Sequence, residues 1–318
     1  MTQLTAPFVY FGGKRLIAPV VWERLGNVNN YIEPFAGSAA VLLARPHTLR
    51  PYQMELLNDL DGEICNFWRS IKTDPEGVID GADHICSELD MHARSHRIAD
   101  TREEIVERLR MDMDFCDPVR AGWWLYGVCL AIGSDFENAR HSLPSYGNKG
   151  RGIHRHTPDA RYSRDTIAHH LQGVIDRMRA VRIACGSWER VLTDSLMFPC
   201  ATYKSHRPPC GVFLDPPYLE GNQQYAAGGT GTSLAHDVLE WCIERGDTPQ
   251  IRIALCGYTG HYDALAEHGW ECINWKANGG YASTANRKGS NATAYENSKR
   301  EVIWFSPHCL GKAQTTLF

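Results

Sequence analysis

The sequence predicts an α/β fold with a mainly helical and loop insertion. Two strand-and-helix units follow one another between residues 29 and 71, and four further strand signals stand between residues 210 and 306. The residues between these regions form charged helical segments and a loop rich in glycine and basic side chains. A sheet built from both ends of the chain accounts for this order. We therefore expect one domain at 1–71 and 185–318 and an inserted region at 72–184.

The first unit is "NNYIEPFAGSAAVLLARP", a short strand followed by a turn and a helix. The strand ends in Glu33, residues 34–37 form the turn, and Ser38 stands near the helix N-cap. A tight turn that includes Phe35 and Gly37 lets the backbone come close to a ligand at the start of a helix.

The second unit, "YQMELLNDLDGEICNFWRSI", predicts a strand that runs into Asn58 and Asp59 and then an amphipathic helix. Asp59 follows Gly37 by 22 residues, where an acid can accept hydrogen bonds from ribose hydroxyls. The turn has no GxGxxG pattern, and Glu33 is unfavourable beside a pyrophosphate. An adenosine-containing cofactor without a pyrophosphate, S-adenosylmethionine, fits better. The alternative is a plain strand-to-helix turn with Asp59 as a helix cap.

The stretch "GVFLDPPYLEGNQQY" predicts a buried strand that carries Asp215 to the C-terminal edge of the sheet. Pro216 and Pro217 fix an extended path and have no backbone N–H, so bare carbonyls lie beside the carboxylate. Such an acceptor surface suits an exocyclic amino group such as adenine N6, and Tyr218 can stack on the base. A base inside a duplex must be flipped out first, and the loop with Tyr225 is expected to order over DNA or cofactor. The alternative is a double-proline turn that only ends the strand.

The residues between 100 and 136 predict two helices, one charged and one apolar. The first is "DTREEIVERLRMDMDF" and the second "AGWWLYGVCLAIGSDF". Trp123 and Trp124 lie in the apolar segment, so we expect them to pack in a core rather than to stack on bases.

A basic segment follows between Arg140 and Arg164. It contains several glycines and is interleaved with Tyr146 and Tyr162. We expect it to neutralise DNA phosphates and to place side chains against base edges, although a solvated loop without a partner is the alternative. A second basic pair lies at 287–288. The candidate DNA-binding residues are Arg140, Lys149, Arg151, Arg155, Arg161, Arg287 and Lys288.

The composition is that of an ordinary globular protein. The chain has 318 residues, of which 43% are hydrophobic and 22% charged, and its net charge is −4. No window approaches the ~18 consecutive apolar residues of a membrane span. The closest of the eleven cysteines, Cys200 and Cys210, are ten residues apart, so no CxxC pair indicates a zinc site and we expect no bound metal.

Four motifs together resemble the Dam-type, class D12, N6-adenine-specific DNA methyltransferases of the alpha group. They are "YFGGK" (10–14), "YIEPFAGSAAV" (31–41), "NDLD" (58–61) and "LDPPY" (214–218). The resemblance implies a Rossmann-like S-adenosylmethionine-dependent methyltransferase fold. It also implies a catalytic tetrapeptide formed by Asp215, Pro216, Pro217 and Tyr218. The implied cofactor-binding residues are Tyr10, Gly12, Gly13, Lys14, Glu33, Phe35, Gly37, Asp59 and Asp215.

The middle of the chain departs from the pattern of this family. "LPSYGNKG" (143–150) resembles the family's turn-rich hairpin near DNA, but "AIGSDFENARHS" stands where an Arg-x-Gly-Tyr-Asn-Gly stretch normally precedes it. The recognition sequence, GATC included, therefore does not follow from the resemblance. We expect double-stranded DNA as the substrate, a cytoplasmic location in a bacterial or phage-infected cell, and a monomer or weak dimer. A cognate restriction endonuclease is a further partner that the resemblance allows.

Other activities fit the residues less well. A C5-cytosine methyltransferase needs a Pro-Cys nucleophile, and both Pro199-Cys200 and Pro209-Cys210 lack a suitable context. N4-cytosine methylation also acts on an exocyclic amine and stays open, although Ser-Pro-Pro-Tyr is its more usual motif. RNA or protein-amide methylation usually goes with Asn at position 215. A DNA-binding regulator that keeps the fold without turnover is the non-enzymatic alternative.

Overall fold

The structure is a computed structural model. The structure describes residues 4–8, 13–46, 51–112, 114–131, 136, 152–154, 163–199, 208–217, 231–275 and 300–311. The chain divides into two compact units. The first comprises residues 1–13, 37–43 and 61–185, and the second comprises residues 14–36, 44–60 and 186–318.

The described residues form seven strands. They are β1 (Asn30–Glu33), β2 (Met54–Asp59), β3 (Arg182–Cys185), β4 (Cys210–Leu214), β5 (Ile251–Tyr258), β6 (Glu271–Asn274) and β7 (Glu301–Phe305). Six of them make the sheet of the second unit, in the order β2-β1-β4-β5-β7-β6. Strands β2, β1, β4 and β5 are parallel, while β7 runs antiparallel to β5 and β6.

The central strands are buried along their whole length. Every residue of β1, β4 and β7 is buried, as is every residue of β5 except Arg252. Strands of a sheet that is covered on both faces read as continuous apolar runs, which is why "GVFL" and "IALCGY" marked them in the sequence. The strands predicted at both ends of the chain are confirmed, and so is the α/β fold class.

The described residues also form ten α-helices. They are α1 (Ala18–Leu25), α2 (Ala40–Leu43), α3 (Gly62–Thr73), α4 (Pro75–Ala82), α5 (Glu88–Asp100), α6 (Arg102–Met111), α7 (Pro118–Leu130), α8 (Arg164–Met178), α9 (Asp194–Met197) and α10 (Gly231–Arg245). Helices α1, α9 and α10 belong to the second unit and the others to the first. None of these helices combines the length and the apolar character that crossing a bilayer requires.

An aromatic cluster forms the core of the first unit. The ring of Phe8 lies 5.3 Å from that of Phe67 and 4.8 Å from that of Trp124, measured between centroids, and Phe67 contacts Trp68 edge to face. Trp124 is only 4% exposed. The expectation that the tryptophans of the apolar helix pack in a core is confirmed for Trp124, whereas Trp123 is half-buried beneath the Arg94 guanidinium.

A buried ion pair joins α3 to α7 in the same unit. The Arg120 guanidinium donates to both carboxylate oxygens of Glu63, at 2.5 to 3.1 Å. Two further guanidinium hydrogens go to the hydroxyl of Thr101 and the carbonyl of Ile98. Both charged side chains are at most 4% exposed, so each charge leaves water and finds its partners inside the protein.

Candidate active site

Three acidic residues mark the carboxyl ends of neighbouring parallel strands in the second unit. Glu33 ends β1, Asp59 ends β2, and Asp215 follows β4 directly. Since β1 lies between β2 and β4, these ends meet at one edge of the sheet, where α/β proteins bind ligands. Each of the three acids was expected at the end of a strand, whereas the order of the strands was not predicted.

The buried amide of Asn58 braces this edge. Its Nδ2 donates to the carbonyls of Pro34 and Gly186, both at 2.9 Å. The backbone carbonyl of Asn58 accepts from the Ala36 N–H at 2.9 Å, and the backbone carbonyl of the half-buried Asp59 accepts from the Gly186 N–H. The turn after β1 and the segment that begins at Gly186 are thus held against the end of β2. Sequence reasoning did not assign this role to Asn58.

Asp61, not Asp59, is the N-cap of α3. Its carboxylate accepts from the Glu63 N–H at 2.8 Å, and its backbone is extended, as an N-cap requires. The alternative interpretation of Asp59 as the helix cap is therefore wrong.

Glu33 is fully buried and accepts a hydrogen bond from the Tyr31 hydroxyl at 2.7 Å. Burial, followed by the negative charge of Glu33, raises the pKa of Tyr31 well above its ordinary value, so the phenol remains a donor. Phe35, two residues further on, stacks on Trp188 with 6.0 Å between ring centroids and 26° between planes. Trp188 in turn meets Trp241 edge to face. Neither tryptophan was identified from the sequence.

The turn that carries Gly37 contains two residues in the left-handed region. Gly37 has φ 45°, which costs glycine little, but Ala39 has φ 51°. A side chain there costs about 1 kcal/mol or more. Backbone strain of this kind is concentrated at functional sites. Within the first unit the Gly37 carbonyl accepts from the Trp68 indole at 3.1 Å, which fixes the turn to α3.

Lys14 pairs with two carboxylates in the second unit. Its Nζ lies 3.0 Å from Asp215 Oδ1 and 3.9 Å from Glu301 Oε2, and its side chain is 4% exposed. Burial alone would lower the pKa of Lys14, but Asp215, and after it Cys256 and Glu301, outweigh burial and raise that pKa. Lys14 is therefore a permanent cation. Glu301 was not identified from the sequence.

The carboxylate of Asp215 is 21% exposed, and beside it Pro216 is buried and Pro217 half-buried. Gly13, which precedes Lys14, is exposed. Tyr10, Gly12 and Tyr218 lie outside the described residues, as do Tyr225 and all the candidate DNA-binding residues: Arg140, Lys149, Arg151, Arg155, Arg161, Arg287 and Lys288. Within the described ranges, no three His, Cys, Asp or Glu side chains are grouped so that they could hold a metal ion.

Arg164, at the end of the basic segment, is described and already paired. Its guanidinium contacts Glu76 and Asp80 of α4, both exposed, with 2.8 Å from Nε to Asp80 Oδ1. Its positive charge is therefore largely offset within the first unit.

Cys210 is a poor nucleophile in this fold. It begins β4 and is fully buried, and burial raises the pKa of its thiol well above the ordinary value. A catalytic thiol needs the opposite shift. The Pro209-Cys210 candidate for C5-cytosine chemistry is thus disfavoured by the structure as well as by the sequence.

Comparison with known proteins agrees with these features. The model of the D12 class N6 adenine-specific DNA methyltransferase family matches residues 10–112, which include three of the four motifs found in the sequence. The Type II methyltransferase M.MjaIII of Methanocaldococcus jannaschii is 25% identical over 233 residues, which make up 68% of this chain and 70% of that protein. The resemblance seen in the sequence is therefore confirmed: residues 10–112 match the D12 class N6 adenine-specific DNA methyltransferase family.

Proposed function

We propose that the protein transfers a methyl group from S-adenosylmethionine to N6 of a flipped-out adenine in double-stranded DNA. One observation carries the proposal most directly: Asp215 stands at the carboxyl end of β4, followed by two prolines and paired with the buried Lys14. The family match over residues 10–112 supports DNA methylation at adenine N6.

The residues at the strand ends fit S-adenosylmethionine by their chemistry. The cofactor would supply a methyl group on a cationic sulfur. Asp59 would accept hydrogen bonds from the ribose hydroxyls, and the aromatic pair of Phe35 and Trp188 offers an apolar wall for a flat ring. Glu33 is too deeply buried to reach a ligand freely, so we assign it to fixing Tyr31 and the turn.

Asp215 would hold the target amine. Adenine N6 is a weak nucleophile because its lone pair is delocalised into the ring. Hydrogen bonds from its N–H groups to Asp215 and to a proline carbonyl favour a pyramidal nitrogen and stabilise the positive charge that develops on it. The nitrogen lone pair forms the N–C bond as the C–S bond breaks, and the nitrogen then loses one proton. We propose that Tyr218 stacks on the extruded base.

We also keep 72–184 as the proposed DNA-recognition region, with the phosphate contacts assigned to its basic segment. The variant Arg151→Ala/Arg155→Ala should weaken DNA binding and reduce the slope of log K against log salt by about 2 if both side chains contact phosphates. Arg164→Ala is the matched control, because that charge is already paired with Glu76 and Asp80. An unchanged slope in the double variant would mean that the segment is a solvated loop that does not contact DNA phosphates.

The deciding experiment incubates the protein with methyl-labelled S-adenosylmethionine and duplex DNA, and then separates the nucleosides. Label in N6-methyl-2′-deoxyadenosine supports the proposal. Label in N4-methylcytosine would support the alternative base, and label in 5-methylcytosine would contradict the chemistry. DNA binding without any transfer would indicate a regulator that has lost turnover. Long-read detection of modified adenines in cells that express the chain would then give the sequence context.

A further inference from the structure

Three charged side chains lie together beside β4, and their charges do not balance. Lys14 is the cation, and Asp215 and Glu301 are the carboxylates, at 3.0 and 3.9 Å from its Nζ. Glu301 opens β7, opposite Tyr258 at the end of β5, so it lies at the same sheet edge as Asp215. With both acids ionised the group carries one net negative charge.

Glu301 is the incompletely paired member. Its side chain is 9% exposed, and its Oε2 is buried without a hydrogen-bond partner among the described residues. Burial, together with the charge of Asp215, raises the pKa of Glu301 to about 7, although Lys14 acts against this rise. Near neutral pH the carboxyl therefore exchanges its proton, and the net charge of the group alternates between −1 and 0.

The titratable groups around Glu301 do not prevent its carboxyl from exchanging a proton near neutral pH. Glu301 faces Tyr258 across the strand pair, and Arg300 beside it lies over the Tyr258 ring at 5.5 Å. Cys256 on β5 interacts with Lys14. Burial, and after it Cys242 and Asp215, raises the pKa of Tyr262, so this phenol is neutral near pH 7.

We propose, resting on the function proposed above, that Glu301 is a positioning residue that acts through Lys14 to favour the cationic cofactor over the neutral thioether product. An ionised Glu301 shares the charge of Lys14, so that Asp215 retains net negative charge toward the ligand. A sulfonium at the site is attracted by this charge, whereas a thioether is not. Binding of the cation then releases the proton of Glu301, and binding of the thioether does not.

The test compares the dissociation constants of S-adenosylmethionine and S-adenosylhomocysteine at pH 6 and pH 8 by calorimetry. If the sulfonium lowers the pKa of Glu301 by about one unit, the preference for the cofactor should rise about fivefold over this range. Glu301→Gln should abolish the rise, and Glu301→Asp should retain it. The two ligands carry the same ionisable groups and differ in the charge on sulfur, and Glu301→Gln reports any pH dependence that the ligands themselves contribute.

A second measurement needs only the wild type. Titrations near pH 7 in buffers of different ionisation enthalpy should show release of about 0.4 proton with S-adenosylmethionine and none with S-adenosylhomocysteine. Three results would overturn the role of Glu301 without affecting the proposed function. They are a wild-type affinity ratio that is independent of pH, a Glu301→Gln variant that keeps the pH dependence, and equal proton release with both ligands. Failure of the wild type to bind either ligand would overturn the proposed function and the inference with it.

Discussion

The two units each bury a group of opposite charges, and the two groups differ in how completely those charges are paired. In the first unit, Arg120 uses all three guanidinium nitrogens, and both oxygens of Glu63 accept from it. In the second unit, Lys14 pairs with two carboxylates, and one buried oxygen of Glu301 has no hydrogen bond among the residues that the structure describes.

This difference separates a structural ion pair from a site with capacity for a ligand. A buried pair whose guanidinium nitrogens and carboxylate oxygens are all hydrogen-bonded has little left to offer a substrate, and removing one partner leaves the other charge buried without compensation. A buried carboxylate oxygen without a hydrogen bond, such as Glu301 Oε2 among the described residues, is poorly satisfied until a cation or a hydrogen-bond donor arrives. The Lys14 group is therefore expected to respond to ligand and pH, and the Arg120 pair to respond only by unfolding.

The largest effect is expected from Asp215→Ala. Turnover should fall by at least ~10³-fold, about 4 kcal/mol, because the hydrogen bonds to the target amine are lost where charge develops. Lys14 keeps Glu301 as a counter-ion, so the protein should stay folded, and cofactor affinity should weaken less than turnover. Single-turnover methyl transfer and calorimetric cofactor binding measure the two quantities. Activity within a few-fold of the wild type would show that the catalytic assignment is wrong.

In the first unit, Arg120→Met should act on stability instead. It leaves the Glu63 carboxylate buried without its cation, and the free energy of unfolding should fall by about 3 kcal/mol, measured by urea denaturation. Arg120→Met/Glu63→Leu is the matched control, since replacing both charges by apolar side chains is often nearly neutral. Methyl transfer per folded molecule should not change in either variant. If the single variant were as stable as the double one, the pair would not be the structural element described above.

Much of the fold could be predicted from the sequence because its central strands are buried on both faces. The runs before Asp215 and Tyr258 are apolar throughout, and only an interior sheet tolerates that pattern. Strand β3 was not predicted, since none of its four residues is fully buried and no alternation marks it. Helix propensity and apolar spacing likewise sufficed for α3 and α7.

The candidate site could be predicted only in part, for a reason of distance along the chain. Asp59 and Asp215 were identified because each stands at the end of a strand that begins as an apolar run, which is a local signal. Glu301 opens an antiparallel strand near the C-terminus, and its approach to Lys14 depends on the pairing of β5 with β7. Trp188 meets Phe35 in the same non-local way. Such contacts leave no spacing pattern in one sequence.

The charge imbalance around Lys14 should also be visible in stability against pH. The pKa of Glu301 in the folded protein, about 7, lies above its ordinary value near 4.5. The neutral carboxyl is therefore the form that folding favours, and its contribution, complete below pH 4.5, is lost as the pH rises through 7. Between pH 5 and pH 8 the wild type should lose on the order of 2 kcal/mol more unfolding free energy than Glu301→Gln.

Urea denaturation at both pH values checks this expectation. The exposed Glu267 provides the control, because Glu267→Gln should follow the wild type at each pH. Parallel curves of unfolding free energy against pH for the wild type and Glu301→Gln would mean that Glu301 is ionised throughout the range. The Lys14 group would then not differ from the Arg120 pair in its response to pH.

The smallest effects should come from two acids that lie two residues apart. One is expected to stabilise the fold and the other to bind the cofactor. Asp61→Ala removes the N-cap of α3, which should cost about 1 kcal/mol of unfolding free energy and leave cofactor affinity unchanged. Asp59→Ala should do the reverse, weakening S-adenosylmethionine binding about tenfold through lost ribose hydrogen bonds with little change in stability. Thermal unfolding and calorimetry on both variants separate the roles. If Asp61→Ala weakened cofactor binding and Asp59→Ala destabilised the fold, the two roles would be reversed. Asp61 would then be the acid that binds the ribose.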